Sequence, residues 1–171
     1  PSVDEMAPFA ARYLALCHSR IAPTVGLALD AVAALYKAGH VDDDALCEAL
    51  HPVLTSAVKA RVLAAMELLG QVVKKSPTRA HAVSAMAVQA LSHSAADVQK
   101  KTLAYLQAWG LDAAGQETAR GYLPLVAAVN QTALGKLVGG APAPPASTVA
   151  LLSPAYQESR HCEGEWTSAL A

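Results

Sequence analysis

The sequence predicts an all-α chain made of antiparallel helical hairpins stacked one on the next. Three observations point there. Alanine fills segments such as DAVAALYKA and AHAVSAMAVQAL while Phe9 and Ile21 are the only residues of their types, so the best helix former is abundant and strand formers other than Val are thin. Gly, Pro and capping residues punctuate the chain at short intervals. One helical phrase is written twice, as LHPVLTSAVKARVLAAM (Leu50 to Met66) and LSHSAADVQKKTLAYL (Leu91 to Leu106).

The elements follow in order. Ser2 or Asp4 caps a first helix over Asp4–His18, with Pro8 near its first turn. Pro23 suits the first position of a second helix, which closes at YKAG with Lys37 on the negative end and Gly39 as terminator. Asp42 to Asp44 open a third helix by capping it and complementing its positive end, and Pro52 limits or bends it. Ser56–Lys75 is a long fourth helix. Pro77 starts a fifth that runs to about His93, and Ala96–Trp109 is a sixth, stopped by Gly110. Asp112 starts a seventh, which Pro124 interrupts before an eighth reaches about Val138.

The intervening loops are short, which forces consecutive helices to pack as antiparallel neighbours. Residues 1–138 therefore read as one helical domain. Residues 139–148, GGAPAPPAST, read as a linker. Residues 149–171 read as a C-terminal tail that docks on the helices or leads to a further domain. The start at Pro1 reads as a piece of a longer chain.

Aligning Val58 with Val98 sets Arg61 against Lys101 and Met66 against Leu106, about forty residues apart. At helical spacing Val58, Val62, Met66, Leu69 and Val73 share one stripe, and Val98, Thr102, Tyr105, Leu106 and Trp109 share the equivalent one. Glu67, Gln71 and Lys74 lie opposite the first stripe, Lys100 and Gln107 opposite the second. A hairpin of this size cannot bury its apolar face alone, so units stack.

Here the residues resemble the HEAT family of helical repeats, whose second helix opens with aspartates and a Val-Arg pair. SAADVQKKTLAYLQAWG looks like that pattern with Gln99 at the arginine position. TSAVKARVLAAMELLG looks like it with Lys59 there and no matching aspartate. The resemblance covers about residues 42–110 and implies a short right-handed HEAT-like α-solenoid of about four hairpins, serving as a scaffold. The missing Asp/Arg pairs, which help knit such stacks together, imply degenerate repeats. A section of a large bacterial HEAT-like protein is the corresponding expectation.

The net charge of −1 exerts no global pull on nucleic acid or anionic lipid. Its distribution is uneven: residues 1–55 carry three basic and seven acidic side chains, residues 56–101 seven and two, and residues 102–171 three and five. The basic middle places the expected partner-binding surface on the exposed side of the second helices, at Lys59, Arg61, Lys100 and Lys101. A protein or peptide partner is expected there. The alternative is nucleic acid held by its phosphates through the 56–101 region.

Catalytic patterns are weak. Cys47 and His51 share a helical face at metal-ligand spacing, yet the sequence brings no further ligands to them. His161-Cys162-Glu163 pairs a thiol with an imidazole, but adjacent residues of an extended chain point apart. There is no Gly-rich phosphate loop, and paired carboxylates occur only as DDD and EGE. A non-enzymatic chain without metal or cofactor is expected. The three scattered cysteines do not make a disulfide framework and point to a reducing cytoplasm. The least charged stretch, Val138 to Gln157, is broken by Gly139, Gly140, Pro142, Pro144 and Pro145 and so cannot span a membrane.

Overall fold

Ser2 makes a full capping box: its hydroxyl accepts from the Glu5 N–H at 3.3 Å, and Glu5 accepts from the Ser2 N–H at 2.8 Å. This launches α1 (Val3–Met6) at the head of residues 2–139, which a computed structural model describes. The expected first helix is broken into α1, a 3-10 turn at Ala7–Phe9 and α2 (Ala10–Leu16). Pro8 is the reason, since it has no N–H for the continuing α-helical ladder. There follow α3 (Ala22–Lys37), α4 (Asp43–Leu50), α5 (Lys59–Lys75), α6 (Ala80–Ala87), α7 (Ala96–Trp109), α8 (Ala113–Arg120) and α9 (Ala128–Leu137). Among the described residues there is no strand, so the chain is all-α there.

Most helix ends follow the chemistry read from the sequence. Asp42 accepts from the Ala45 N–H at 2.8 Å to cap α4, and Asp112 caps α8 in the same way at 2.7 Å from Gly115. Gly39 and Gly110 take positive φ, 84° and 80°, where the chain leaves α3 and α7. Further 3-10 turns flank two of the helices. Pro52 ends α4 at Leu50 and leaves a 3-10 turn at His51–Thr55, and the fifth helix splits into 3-10 turns at Pro77–Arg79 and Val88–Ser92 around α6.

The fourth expected helix begins at Lys59 rather than Ser56, and the cause is a recurring turn. The Ser56 hydroxyl accepts from the Val58 N–H at 3.2 Å, so Ser56 shapes the turn and Val58, extended at φ −90° and ψ 103°, is the N-cap. The same geometry leads into α3, where Ser19 accepts from the Ile21 N–H at 3.1 Å, and into α7, where His93 Nδ1 accepts from the Ala95 N–H at 2.9 Å. Ile21, Val58 and Ala95 all have φ between −81° and −90°.

These positions lie 37 residues apart, as do the starts of α3, α5 and α7 at Ala22, Lys59 and Ala96. α4 and the turn His51–Thr55 likewise map onto α6 and Val88–Ser92 at that spacing. The structural register is thus three residues shorter than the alignment of Val58 with Val98. Three residues are close to one helical turn, so the apolar stripe survives the slip and the sequence pattern does not detect it. In the structural register Arg61 corresponds to Val98, and Lys101 to Ala64.

The helices form two layers. α3, α5, α7 and α9 lie side by side in that order, while α2 packs on α4 and α6 on α8 in the other layer. Between the layers sits a core of Leu, Val and Ala, including Val32, Leu35, Leu50, Leu54, Val62, Met66, Leu69, Val72, Leu91 and Leu106. The two predicted stripes face it, with one exception: Val58 is 40% exposed because it precedes the helix instead of opening it. Tyr105 and Trp109, 4.8 Å apart between ring centroids, pack over Gly70 of α5.

Candidate functional site

Two of the four predicted surface cations are engaged inside the fold. Lys59, at the start of α5, pairs with Asp97 in the first turn of α7, and Lys101 of α7 pairs with Glu67 of α5 at 2.7 Å. Each pair crosses between neighbouring helices of the same layer. Glu67 holds the Lys101 ammonium above its ordinary pKa by hydrogen bonding, and Lys59 lowers the Asp97 carboxyl in the same manner. Both pairs are largely exposed, so each contributes little energy and mainly fixes register. An aspartate at the head of one second helix thus meets a basic residue of the preceding one, a contact the sequence alignment did not bring together.

Gln99 is a second tie. It is 1% exposed, and its amide donates to the carbonyls of His93 (2.8 Å) and Leu91 (3.3 Å). Its Oε1 accepts from the Ala127 N–H at 2.9 Å and from the Asn130 amide at 3.3 Å, while Asn130 also donates to the Ala96 carbonyl at 2.7 Å. One buried side chain therefore joins the lead-in turn of α7 to the lead-in turn of α9. α9 departs from the 37-residue spacing, and Gln99 supplies from a distance the acceptor that Ser19, Ser56 and His93 supply locally.

A third tie centres on Asp43, which the sequence reading treats only as part of a helix start. It accepts from Ser76 Oγ (2.7 Å), Tyr36 Oη (2.9 Å) and Lys75 Nζ (3.1 Å), and Lys75 also lies over the Tyr36 ring at 5.0 Å. The hydrogen bond from Ser76, followed by those from Lys75 and Tyr36, lowers the Asp43 pKa despite its burial. Burial and the bond to Asp43 push the Tyr36 phenol up to about 12. Beside them Arg79 binds Asp44, with 2.8 Å between Nη2 and Oδ2. The ends of α3, α5 and the start of α4 are pinned at this one place.

Arg61 and Lys100 belong to no ion pair among the described residues. Lys100 is exposed on α7. Arg61 is half-buried and lines a pocket of about 230 Å³ together with His18, Ser19, Arg20 and Ser56. This pocket lies where the α2–α3 turn meets the start of α5. The sequence reading missed Arg20 and His18 as companions of Arg61, because nothing in the linear spacing shows that one hairpin's turn faces the next hairpin's helix.

The cysteine candidates go elsewhere. Cys47 is half-buried beside Asp44, Arg79 and Met86, and burial raises its thiol pKa. His51 Nε2 accepts from the amide of Gln89 at 2.8 Å, one hairpin further on. Burial pushes the Cys17 thiol up to about 11, so it stays protonated at neutral pH. Among the described residues no three His, Cys, Asp or Glu side chains are grouped to hold a metal ion. His161 and Cys162 lie outside the described residues, as do the expected linker from residue 140 onward and the tail 149–171. Among the described residues no helix is long and apolar enough to cross a membrane.

A larger open groove of about 590 Å³ runs between α7 and α9, lined by Leu103, Gln107, Val129, Lys136 and Leu137. Comparison of the chain with protein-family models, with curated proteins and with solved structures finds no match.

Proposed function

We propose that this chain is a non-enzymatic interaction or scaffold module: a short, right-handed HEAT-like stack of helical hairpins that holds a protein or peptide partner on the exposed face of its second helices. The observation that carries the reading is the recurrence, at 37-residue spacing, of one lead-in turn before α3, α5 and α7, which then lie side by side. An array of like units, each resting on its neighbour, makes a stiff, extended surface suited to a partner. The Lys59–Asp97 and Lys101–Glu67 pairs hold that surface in register. Of the four cations predicted for that surface, Arg61 and Lys100 stand outside the ion pairs among the described residues and are available to a partner. Such a module works in the cytoplasm, in keeping with Cys17 and Cys47, which are free thiols among the described residues.

The nucleic-acid alternative draws less support. Lys59, Lys75, Arg79 and Lys101, four of the seven cations in the basic middle, face carboxylates of the chain itself. Phosphate contacts would have to displace those partners.

The reading is tested by affinity capture from the source cells, comparing the natural chain with Arg61→Glu and Lys100→Glu. Reduced recovery of the same partner by both variants, with helix content unchanged, is the expected result. Equal recovery by both variants removes the surface assignment.

A further inference from the structure

We infer that the pocket between the α2–α3 turn and α5 is an oxyanion site, which takes a carboxylate or phosphate group through Arg20 and Arg61. The inference rests on the reading of the chain as a partner-binding module and names the chemistry the partner brings.

Every polar side chain that lines this pocket offers a donor. Arg20 and Arg61 present guanidinium forks, and His18 lies beside them. The Ser19 and Ser56 oxygens already accept the N–H groups of Ile21 and Val58, which leaves each hydroxyl proton free to donate. No carboxylate lines the pocket, and neither arginine forms an ion pair among the described residues. Two guanidinium groups sharing about 230 Å³ repel one another, and an anion between them turns that repulsion into charge-assisted, bidentate bonding.

The next junction along the chain shows that the fold itself does not need these cations. At the 37-residue spacing His18, Arg20 and Arg61 correspond to Thr55, Ala57 and Val98. The same lead-in turn forms there without any of them. The cations that do cross that second junction, Lys59 and Lys101, each meet a carboxylate of the protein. At the first junction the counter-charge is left to a ligand, and the pocket's size fits one head group, not a whole peptide.

The experiment is a nitrogen-15 NMR titration of the full 171-residue chain, following arginine Nε–Hε signals at constant ionic strength. The probes are inorganic phosphate and hexaglutamate, added separately. Saturable shifts at Arg20 and Arg61, with Arg12 and Arg120 unmoved, are expected. Arg20→Gln and Arg61→Gln should each weaken binding about tenfold, and Arg61→Lys less, since a point charge replaces the fork. Tighter binding of phosphate assigns a phosphate-bearing partner, and tighter binding of hexaglutamate an acidic segment. Absence of saturable shifts with both probes, shifts spread evenly over the arginines of the chain, or binding that survives the double variant overturns the site. If Arg61→Gln loses its helical circular dichroism, Arg20→Gln, on the exposed turn, decides alone. Probe binding lost in both variants with no partner captured by the natural chain would leave the pocket standing and remove the module. Partner capture that survives both variants, with no probe bound, would do the reverse.

Discussion

The junction between α3 and α5 and the junction between α5 and α7 share one backbone plan and differ in charge. The second is closed electrically: Lys59 meets Asp97, Lys101 meets Glu67, and small or apolar residues (Ala57 and Val98) fill the positions between. The first carries Arg20 and Arg61 at those positions, with no carboxylate lining the pocket they share. Identical turns with opposite electrostatics separate what builds the stack from what is added to it. Serine or histidine three residues before each helix builds the turn, and the arginines are an addition.

The comparison breaks most severely if the ties of the ordered junctions are cut. Gln99→Leu leaves the Ala127 N–H and the His93 and Leu91 carbonyls buried without their partner, and the expected loss is about 3 kcal/mol by denaturant unfolding. Asp43→Asn removes the charged acceptor shared by Ser76, Tyr36 and Lys75 and costs about 2 kcal/mol. The folded-state pKa of Asp43 is depressed, so its contribution is present at neutral pH and is lost as pH falls through that depressed value. The natural chain should therefore lose stability below about pH 4, where ordinary carboxylates protonate, and Asp43→Asn should flatten that part of the profile.

Smaller effects sharpen the contrast. Giving the first junction the residues of the second, Arg20→Ala with Arg61→Val, should change stability by less than about 0.5 kcal/mol while abolishing anion binding. A large stability loss in that double variant would show the arginines to be part of the frame. Thr102→Val is the mildest change. The Thr102 hydroxyl is fully buried with no partner among the described residues, so the near-isosteric valine should stabilise by about 0.5–1 kcal/mol. Thermal unfolding reads both.

Much of the helical layout was legible before any coordinates. Ala96–Trp109 is bounded by the residues the sequence names, because Gly110 terminates it through a positive φ that few other residues adopt. Pro52 announces a limit or bend, whereas Pro8 reads only as a first-turn residue and Pro77 as a helix start, and the 3-10 geometry at all three depends on what each turn packs against. Ser56 was misread as a helix start because a serine that caps a helix and a serine that shapes the preceding turn look the same in sequence. The register slipped because a shift of three residues keeps the same face inward, and only the helix ends reveal it. Of the surface, the sequence held the identity of Arg61. Its meeting with Arg20 and His18 required knowing which turn faces which helix, and the roles of Gln99 and Asp43 required the long-range contacts themselves.

The measurement that bears most directly on the central claim is site-specific photocrosslinking in the source cells. A crosslinking residue is placed at Lys100 on the second-helix layer or at Glu48, exposed on α4 of the other layer. The account predicts one partner crosslinked from position 100, absent from position 48, and lost when Arg61→Glu is added. Equal crosslinking from both positions, or a position-100 crosslink indifferent to Arg61→Glu, would contradict it.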